Sequence, residues 1–249
     1  MHEPAFVEIE GPQDAEWVII CDHARNGVPA DVAGGDLGLP AADMARHIAY
    51  DPGAEGVTRT LAQELSAPAV FATFSRLVID PNRGEDDPTL LMRLYDGTII
   101  PGNRHADPTE RERRLDLYHR PYHGAVWRVL NQHPNAHLVS IHSFTPKLRG
   151  RAPRPWHVGV LYADDQGLAA PVLEVLGEQP DLCVGDNEPY SGHLPGDTMY
   201  RHGVKTGRPH VLIEFRNDLI FEVQDQIAWG KRLAGILTEA AMRMRQADK

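Results

Sequence analysis

Three short apolar runs, far apart in the chain, each lead straight into a residue that can bind a metal or move a proton. Val18-Ile19-Ile20-Cys21 runs into Asp22-His23, Leu138-Val139-Ser140-Ile141 into His142, and Val211-Leu212-Ile213 into Glu214. Runs this short and rich in β-branched residues read as strands covered on both faces, as in a parallel sheet. In open α/β sheets, ligands bind just beyond the carboxyl ends of the strands. Two histidines and a glutamate delivered to that edge make a candidate metal-hydrolase centre.

The rest of the chain supplies the helices such a sheet needs. A polar lead-in (1–15) and an irregular Gly/Pro/Asp segment (27–40) flank the first run. Helices are predicted over 41–49 and from Asp51-Pro52 to about Ser66, with Asp51 as N-cap and Pro52 in the first turn. Strand pieces are predicted at 69–73 and 77–79, and a charged helix over 107–132. A strand at 157–162, a helix at 168–176, a short strand near Leu182, a loop at 185–196 and a final helix over about 224–244 complete the pattern. Strand–helix alternation predicts an α/β three-layer sandwich around a central, mainly parallel mixed sheet. With no repeat, low-complexity tract or linker, residues 1–249 are expected to form one domain.

Composition narrows the partners. The 249 residues carry a formal net charge of −10 and a pI near 5.7, which disfavours nucleic acid or an anionic membrane as partner. An anionic substrate therefore requires a local cluster of arginines. Cys21 and Cys183 are the only cysteines, too few for a disulfide framework or a Cys-rich zinc site, so zinc ligands should be His and carboxylate. No apolar stretch approaches a membrane span and the start lacks a signal-peptide pattern. The expectation is a soluble cytoplasmic protein; oligomeric state is not legible.

Four constellations could carry chemistry. In 22–27, His23 is a candidate metal ligand at a strand end, and Asn26 could fold back as an oxygen ligand or bind a substrate carbonyl; a simple turn explains the same residues. In 140–146, His142 could complete a metal pair with His23 or be a satisfied core histidine. In 213–218, Glu214 is costly on a buried strand without a partner or a task. It could act as general base and then general acid, or pair with Arg216, which could also bind substrate. In 75–83, Arg76, Asn82 and Arg83 suit carboxylate capture, with surface salt bridges to 85–87 as the competing reading. Softer candidates are His47 with Asp51, Asn187 and Tyr190 in a ligand-like loop, and His202.

Six ordered blocks resemble the N-formylglutamate amidohydrolase family. They are Cys-Asp-His-Ala-Arg-Asn-Gly-Val-Pro (21–29), Tyr-Asp-Pro-Gly-Ala (50–54), Ser-Arg-Leu-Val-Ile-Asp-Pro-Asn-Arg (75–83), Ile-His-Ser-Phe-Thr-Pro (141–146), Asn-Glu-Pro-Tyr-Ser-Gly (187–192) and Ile-Glu-Phe-Arg-Asn-Asp-Leu (213–219). The resemblance implies a fold like that of the zinc carboxypeptidases, with a His-x-x-Glu pair, a later His, a catalytic Glu and an Asn-Arg pair for the substrate carboxylate. By position His23 and His142 match the histidine ligands, Glu214 the catalytic Glu, and Asn82 with Arg83 the carboxylate pair. Asn26 stands where the family has a ligand Glu, so either Asp51 or Asp22 supplies that charge or the site holds metal poorly. The resemblance implies hydrolysis of a small anionic N-acyl amino acid, N-formyl-L-glutamate leading, with a divalent metal, zinc being the one expected. A carboxypeptidase or cell-wall peptide amidase of the same fold, and a non-catalytic binding protein on this scaffold, are the rivals.

Overall fold

A computed structural model describes residues 4–164 and 166–247; the first three residues of the lead-in lie outside it. In chain order its elements are β1 (Phe6–Ile9), β2 (Trp17–Cys21), α1 (Ala41–Met44), α2 (Ala54–Glu64), β3 (Ala69–Ala72), β4 (Leu94–Tyr95), β5 (Thr98–Ile99), α3 (Pro108–Arg114), α4 (Arg120–Gln132), β6 (His137–Phe144), β7 (Val158–Leu161), α5 (Ala169–Gly177), β8 (Val184–Asp186), α6 (Thr198–His202), β9 (His210–Arg216) and α7 (Val223–Ala247). A π-helical turn, Leu115–His119, joins α3 to α4, so the expected helix over 107–132 is realised in three continuous parts.

Seven strands form one sheet in the order β1-β3-β2-β6-β9-β7-β8. The pairs β3–β2, β2–β6, β6–β9 and β7–β8 are parallel, while β1–β3 and β9–β7 are antiparallel. The sheet is therefore mixed and mainly parallel, as the apolar runs implied. Alternate residues feed opposite faces. Ile19, Phe71, Ile141 and Ile213 pack with α2, α5 and α7, whereas Ile20, Val70, Leu138 and Leu212 pack with α4 and the preceding π-helical turn. Helices thus cover both faces, giving three layers. No helix among the described residues is long and apolar enough to cross a membrane.

Four local expectations give way. Asp51 does not cap α2: the cap position is Gly53, at φ 83°, where a side-chain Cβ would lie 2.2 Å from the Ile220 carbonyl oxygen. Glycine tolerates that left-handed turn, and it frees the Asp51 carboxylate to turn inward. The stretch 77–79 is a buried turn rather than a strand, and α1 ends at Met44, well short of Ala49. The strands β6 and β9 also run two residues beyond His142 and Glu214, which places both side chains within the sheet rather than past its edge.

Candidate metal centre and cavity

His23 lies two residues past the end of β2, His142 sits in β6, and Asp51 enters from the turn before α2. One donor atom from each lies within 4.8 Å of the others, and all three residues are buried. Asp51 Oδ2 is 2.8 Å from His142 Nδ1 and 3.4 Å from His23 Nδ1, and it also accepts the Ser143 backbone N–H. The far side of each ring is held by another carboxylate. His23 Nε2 donates to Asp80 Oδ1 at 2.7 Å, and His142 Nε2 donates to Asp22 Oδ2 at 3.0 Å. A carboxylate only accepts, so both Nε2 atoms carry their hydrogens. Each Nδ1 is then either a lone pair aimed at a shared cation or the second N–H of an imidazolium.

These supporting carboxylates are themselves satisfied. Asp22 Oδ1 accepts from Tyr122 Oη and Thr198 Oγ1, and Asp80 Oδ2 accepts from Arg76 Nε and Nη2. Burial favours the neutral acid, yet the His142 hydrogen bond and the two imidazoles bring Asp22 down to about 2. Burial likewise opposes ionisation of Asp51 and Asp80, but the surrounding histidines and Arg76 hold both below the usual carboxylate range. Asp22, Asp51 and Asp80 together carry three negative charges and Arg76 returns one. The two left over match one divalent cation, or protons on both imidazoles. Rings fixed by a carboxylate behind them and a converging set of nitrogen and oxygen donors are the pattern of a His/Asp metal site. The residues present fit such an ion.

Glu214 faces this group from the neighbouring strand, register-paired with His142. Its Oε2 is buried with no hydrogen-bond partner among the described residues. Burial pushes the carboxyl up to about 7, with His142 pulling it down and Asp51 adding to the rise. A carboxyl that ionises near neutrality suits proton transfer. Next to Glu214 on the outer side stands Gly159, whose missing Cβ would lie 2.1 Å from the Glu188 carbonyl oxygen.

Around these groups lies a cavity of about 300 Å³. Of the residues expected at the site, His23, Asp51, His142, Glu214, Arg76, Asn82, Arg83 and Tyr190 line it. Asn82 Oδ1 accepts the Thr198 backbone N–H, which leaves its NH2 for a ligand. Arg83 spends Nε on Thr89 and Nη1 on its neighbour's carbonyl, with Nη2 uncommitted. Arg76 lines the cavity with Nε and Nη2 bound to Asp80 and Nη1 3.7 Å from Asp51.

Three expected residues are not among those lining the cavity. The Asn26 amide nitrogen donates to the Met44 carbonyl, and Asp51, not Asn26, joins the histidines. Asn187 adopts φ 50°, and its Oδ1 accepts from the Tyr162 and Gly192 N–H groups; it shapes a turn. Arg216 pairs with Asp218 and reaches the carbonyls of 154–156, so the anticipated Glu214–Arg216 pair does not form. Asp80 and Tyr122 carry parts of the site that sequence reading did not single out. Asp80 had a signal, since it follows the apolar Leu77-Val78-Ile79 and lies four residues after Arg76.

Residues 15–221 match the family model described as N-formylglutamate amidohydrolase. A segment of 81 residues is 38% identical to an N-formylglutamate deformylase of Pseudomonas putida. That match takes in 28% of this chain and 30% of the relative's length, so the chain spans under a third of that protein. A solved gene product of Agrobacterium tumefaciens superposes with a TM-score of 0.89 at 32% identity, over 98% of this chain and 97% of that one. The N-formylglutamate amidohydrolase of Ralstonia eutropha superposes with a TM-score of 0.62 at 20% identity, over 95% and 99% of the two chains, and bears on the fold alone.

Proposed function

The chain belongs to the N-formylglutamate amidohydrolase family, and from that premise we propose that its cavity hydrolyses the amide of a small N-acyl amino acid with a divalent metal, zinc first among the candidates. One observation carries the reading: a buried carboxylate oxygen without a partner, on Glu214, stands beside a converging His–Asp–His donor set. A structural ion pair would have left Glu214 matched.

His23, Asp51 and His142 would hold the metal, which when bound polarises an acyl oxygen and lowers the pKa of a neighbouring water. Asn82 NH2 and Arg83 Nη2 bind the substrate carboxylate and orient the amide toward Glu214. Glu214 takes a proton as the water oxygen bonds to the acyl carbon. It returns that proton to the nitrogen as the C–N bond breaks, releasing a carboxylic acid and an amine. Asp22 and Asp80 keep each imidazole in one tautomer and orientation. The small cavity suits a small-molecule substrate better than a peptide trough.

The test is release of formate from N-formyl amino acids, N-formyl-L-glutamate included, by protein reconstituted with zinc and by protein stripped with a chelator. Turnover that appears with stoichiometric metal and vanishes on stripping supports the reading. Metal-independent turnover removes the metal from it, and no turnover with any member of the panel removes the reaction.

A further inference from the structure

We propose that Asp197 binds the nitrogen of the amino acid: it accepts the amide N–H of the N-acyl substrate and then holds the ammonium of the released product. The proposal rests on the hydrolase reading above and deepens it.

Asp197 reaches the cavity with one oxygen to spare. It lines the cavity while only 5% exposed. Oδ1 accepts the Tyr200 N–H at 2.7 Å and so caps α6. Oδ2 has no hydrogen-bond partner among the described residues. Burial pushes this carboxyl up to about 6, with the Tyr200 N–H and Arg83 pulling it down and Asp22 adding to the rise. A buried carboxylate short of donors gains from any donor a ligand brings. Two other acids line the cavity, Asp51 and Glu214; the first belongs to the metal group and the second moves the proton. Asp197 is the lining acid with no other task than its cap.

Its place in the wall says which donor. Asp197 lies between two residues that touch the turn carrying Asn82 and Arg83. The Thr198 N–H donates to Asn82 Oδ1 at 3.1 Å. Gly196, at φ 84°, stands so close to that turn that an added Cβ would lie 2.8 Å from the Gly84 Cα. Asp197 is thus fixed into the same wall as the carboxylate clamp. In an α-amino acid the nitrogen and the carboxylate share one carbon, which puts the nitrogen about 2.5 Å from the carboxylate carbon. A ligand whose carboxylate rests on Asn82 and Arg83 therefore brings its nitrogen to the neighbouring acceptor, Asp197. In the substrate that nitrogen donates its one N–H. Glu214 then returns a proton to it as the C–N bond breaks, and the released acid gives up a further proton, so the amine leaves as an ammonium. The contact grows from a neutral donor on a carboxylate to a cation on a carboxylate, and product is held more tightly there than substrate.

The experiment compares L-glutamate with glutarate, which keeps both carboxylates and lacks only the amino group. Binding of each to zinc-reconstituted protein is measured by calorimetry at pH 8 in wild type, Asp197→Asn and Asp197→Ser. Both replacements keep an oxygen able to cap α6, so both should melt close to wild type. In wild type L-glutamate should bind about 10–100-fold more tightly than glutarate, the scale of a hydrogen bond between charged groups. In both variants that advantage should disappear while glutarate binding stays unchanged, and the Ki of L-glutamate against hydrolysis of N-formyl-L-glutamate should rise by the same factor. A purely structural role for Asp197 predicts shifted melting with the glutamate-to-glutarate ratio intact. An advantage that survives in either variant, no advantage in wild type, or binding of neither compound overturns the proposal. If nothing is hydrolysed, the hydrolase reading fails and calorimetry alone decides: an advantage present in wild type and lost in both variants still sustains Asp197 as the acceptor of an amino-acid nitrogen. Hydrolysis with an unchanged ratio overturns the proposal and leaves the hydrolase reading standing.

Discussion

His142 and Glu214 are register partners on adjacent parallel strands, so their side chains leave the same face of the sheet about 4.8 Å apart at the backbone. One belongs to the candidate metal-ligand group, and the other carries a buried oxygen with no hydrogen-bond partner among the described residues. The sheet itself sets their separation, which flexible loops could not hold so closely. If Glu214 moves the proton, Glu214→Gln should lower kcat by a factor of about 10²–10⁴, with zinc stoichiometry retained. Near-normal turnover in a folded variant would remove Glu214 from the reaction.

The same carboxyl makes a stability prediction. In metal-stripped protein Glu214 is raised to about 7 by burial, against about 4.3 in an unfolded chain. Its folded form holds the proton more tightly, so its contribution is present below the unfolded value and is lost as pH rises through 7. Relative to wild type, Glu214→Gln should therefore gain stability between pH 5 and pH 8, by up to about 3 kcal/mol. Urea denaturation at the two pH values reads it. A difference that stays constant with pH would show that Glu214 does not titrate in this window.

Metal affinity should separate the three kinds of neighbour. Asp51→Ala removes a ligand and should abolish stoichiometric zinc binding. Asp22→Asn leaves the ligands but loosens the His142 ring, and should weaken zinc binding about 10–100-fold. Asn26→Ala should leave it unchanged, because that amide serves the Met44 carbonyl. Competition titration against a chelating dye measures all three, and a large loss in Asn26→Ala would return Asn26 to the metal.

Arg83→Ala should raise KM for an N-formyl amino acid about 10–100-fold while kcat changes little, as expected for one charged hydrogen bond made equally in ground and transition states. Arg216→Ala should leave both constants near wild type, since that guanidinium is occupied by Asp218 and backbone carbonyls. A fall in kcat alone for Arg83→Ala would place Arg83 on the developing oxyanion instead.

His123 supports the turn that carries Asn82 and Arg83, the proposed carboxylate clamp. Its Nε2 donates to the Pro81 carbonyl, and His119 Nε2 does the same for Arg83, just beneath Asn82 and Arg83. His123→Leu should raise KM several-fold with metal binding unaffected, and His123→Gln, which keeps an N–H donor, should recover part of the loss. Equal KM values in both variants and wild type would show that the loop holds its place without this bond.

Much of the framework was legible in the chain. Buried parallel strands must be apolar along their length, because helices cover both faces, so a His or Glu within such a run stands out against its neighbours. That contrast singled out His23, His142 and Glu214, and the Asn-Arg pair after the apolar 77–79 singled out Asn82 and Arg83. What local sequence could not convey is which way a polar side chain turns. Asp51 reads as a helix cap, and only the left-handed turn at Gly53 releases it to the histidines. Asn26, Asn187 and Arg216 read as ligands, and only the fold presents them with nearer partners. Arg76 reads as a substrate clamp, and only the fold sets Asp80, four residues on, against two of its nitrogens. Pattern along a chain reports burial, since burial acts on each residue by its own chemistry. Pairing depends on distances between segments that the sequence separates by tens of residues, and those distances exist only once the sheet has formed.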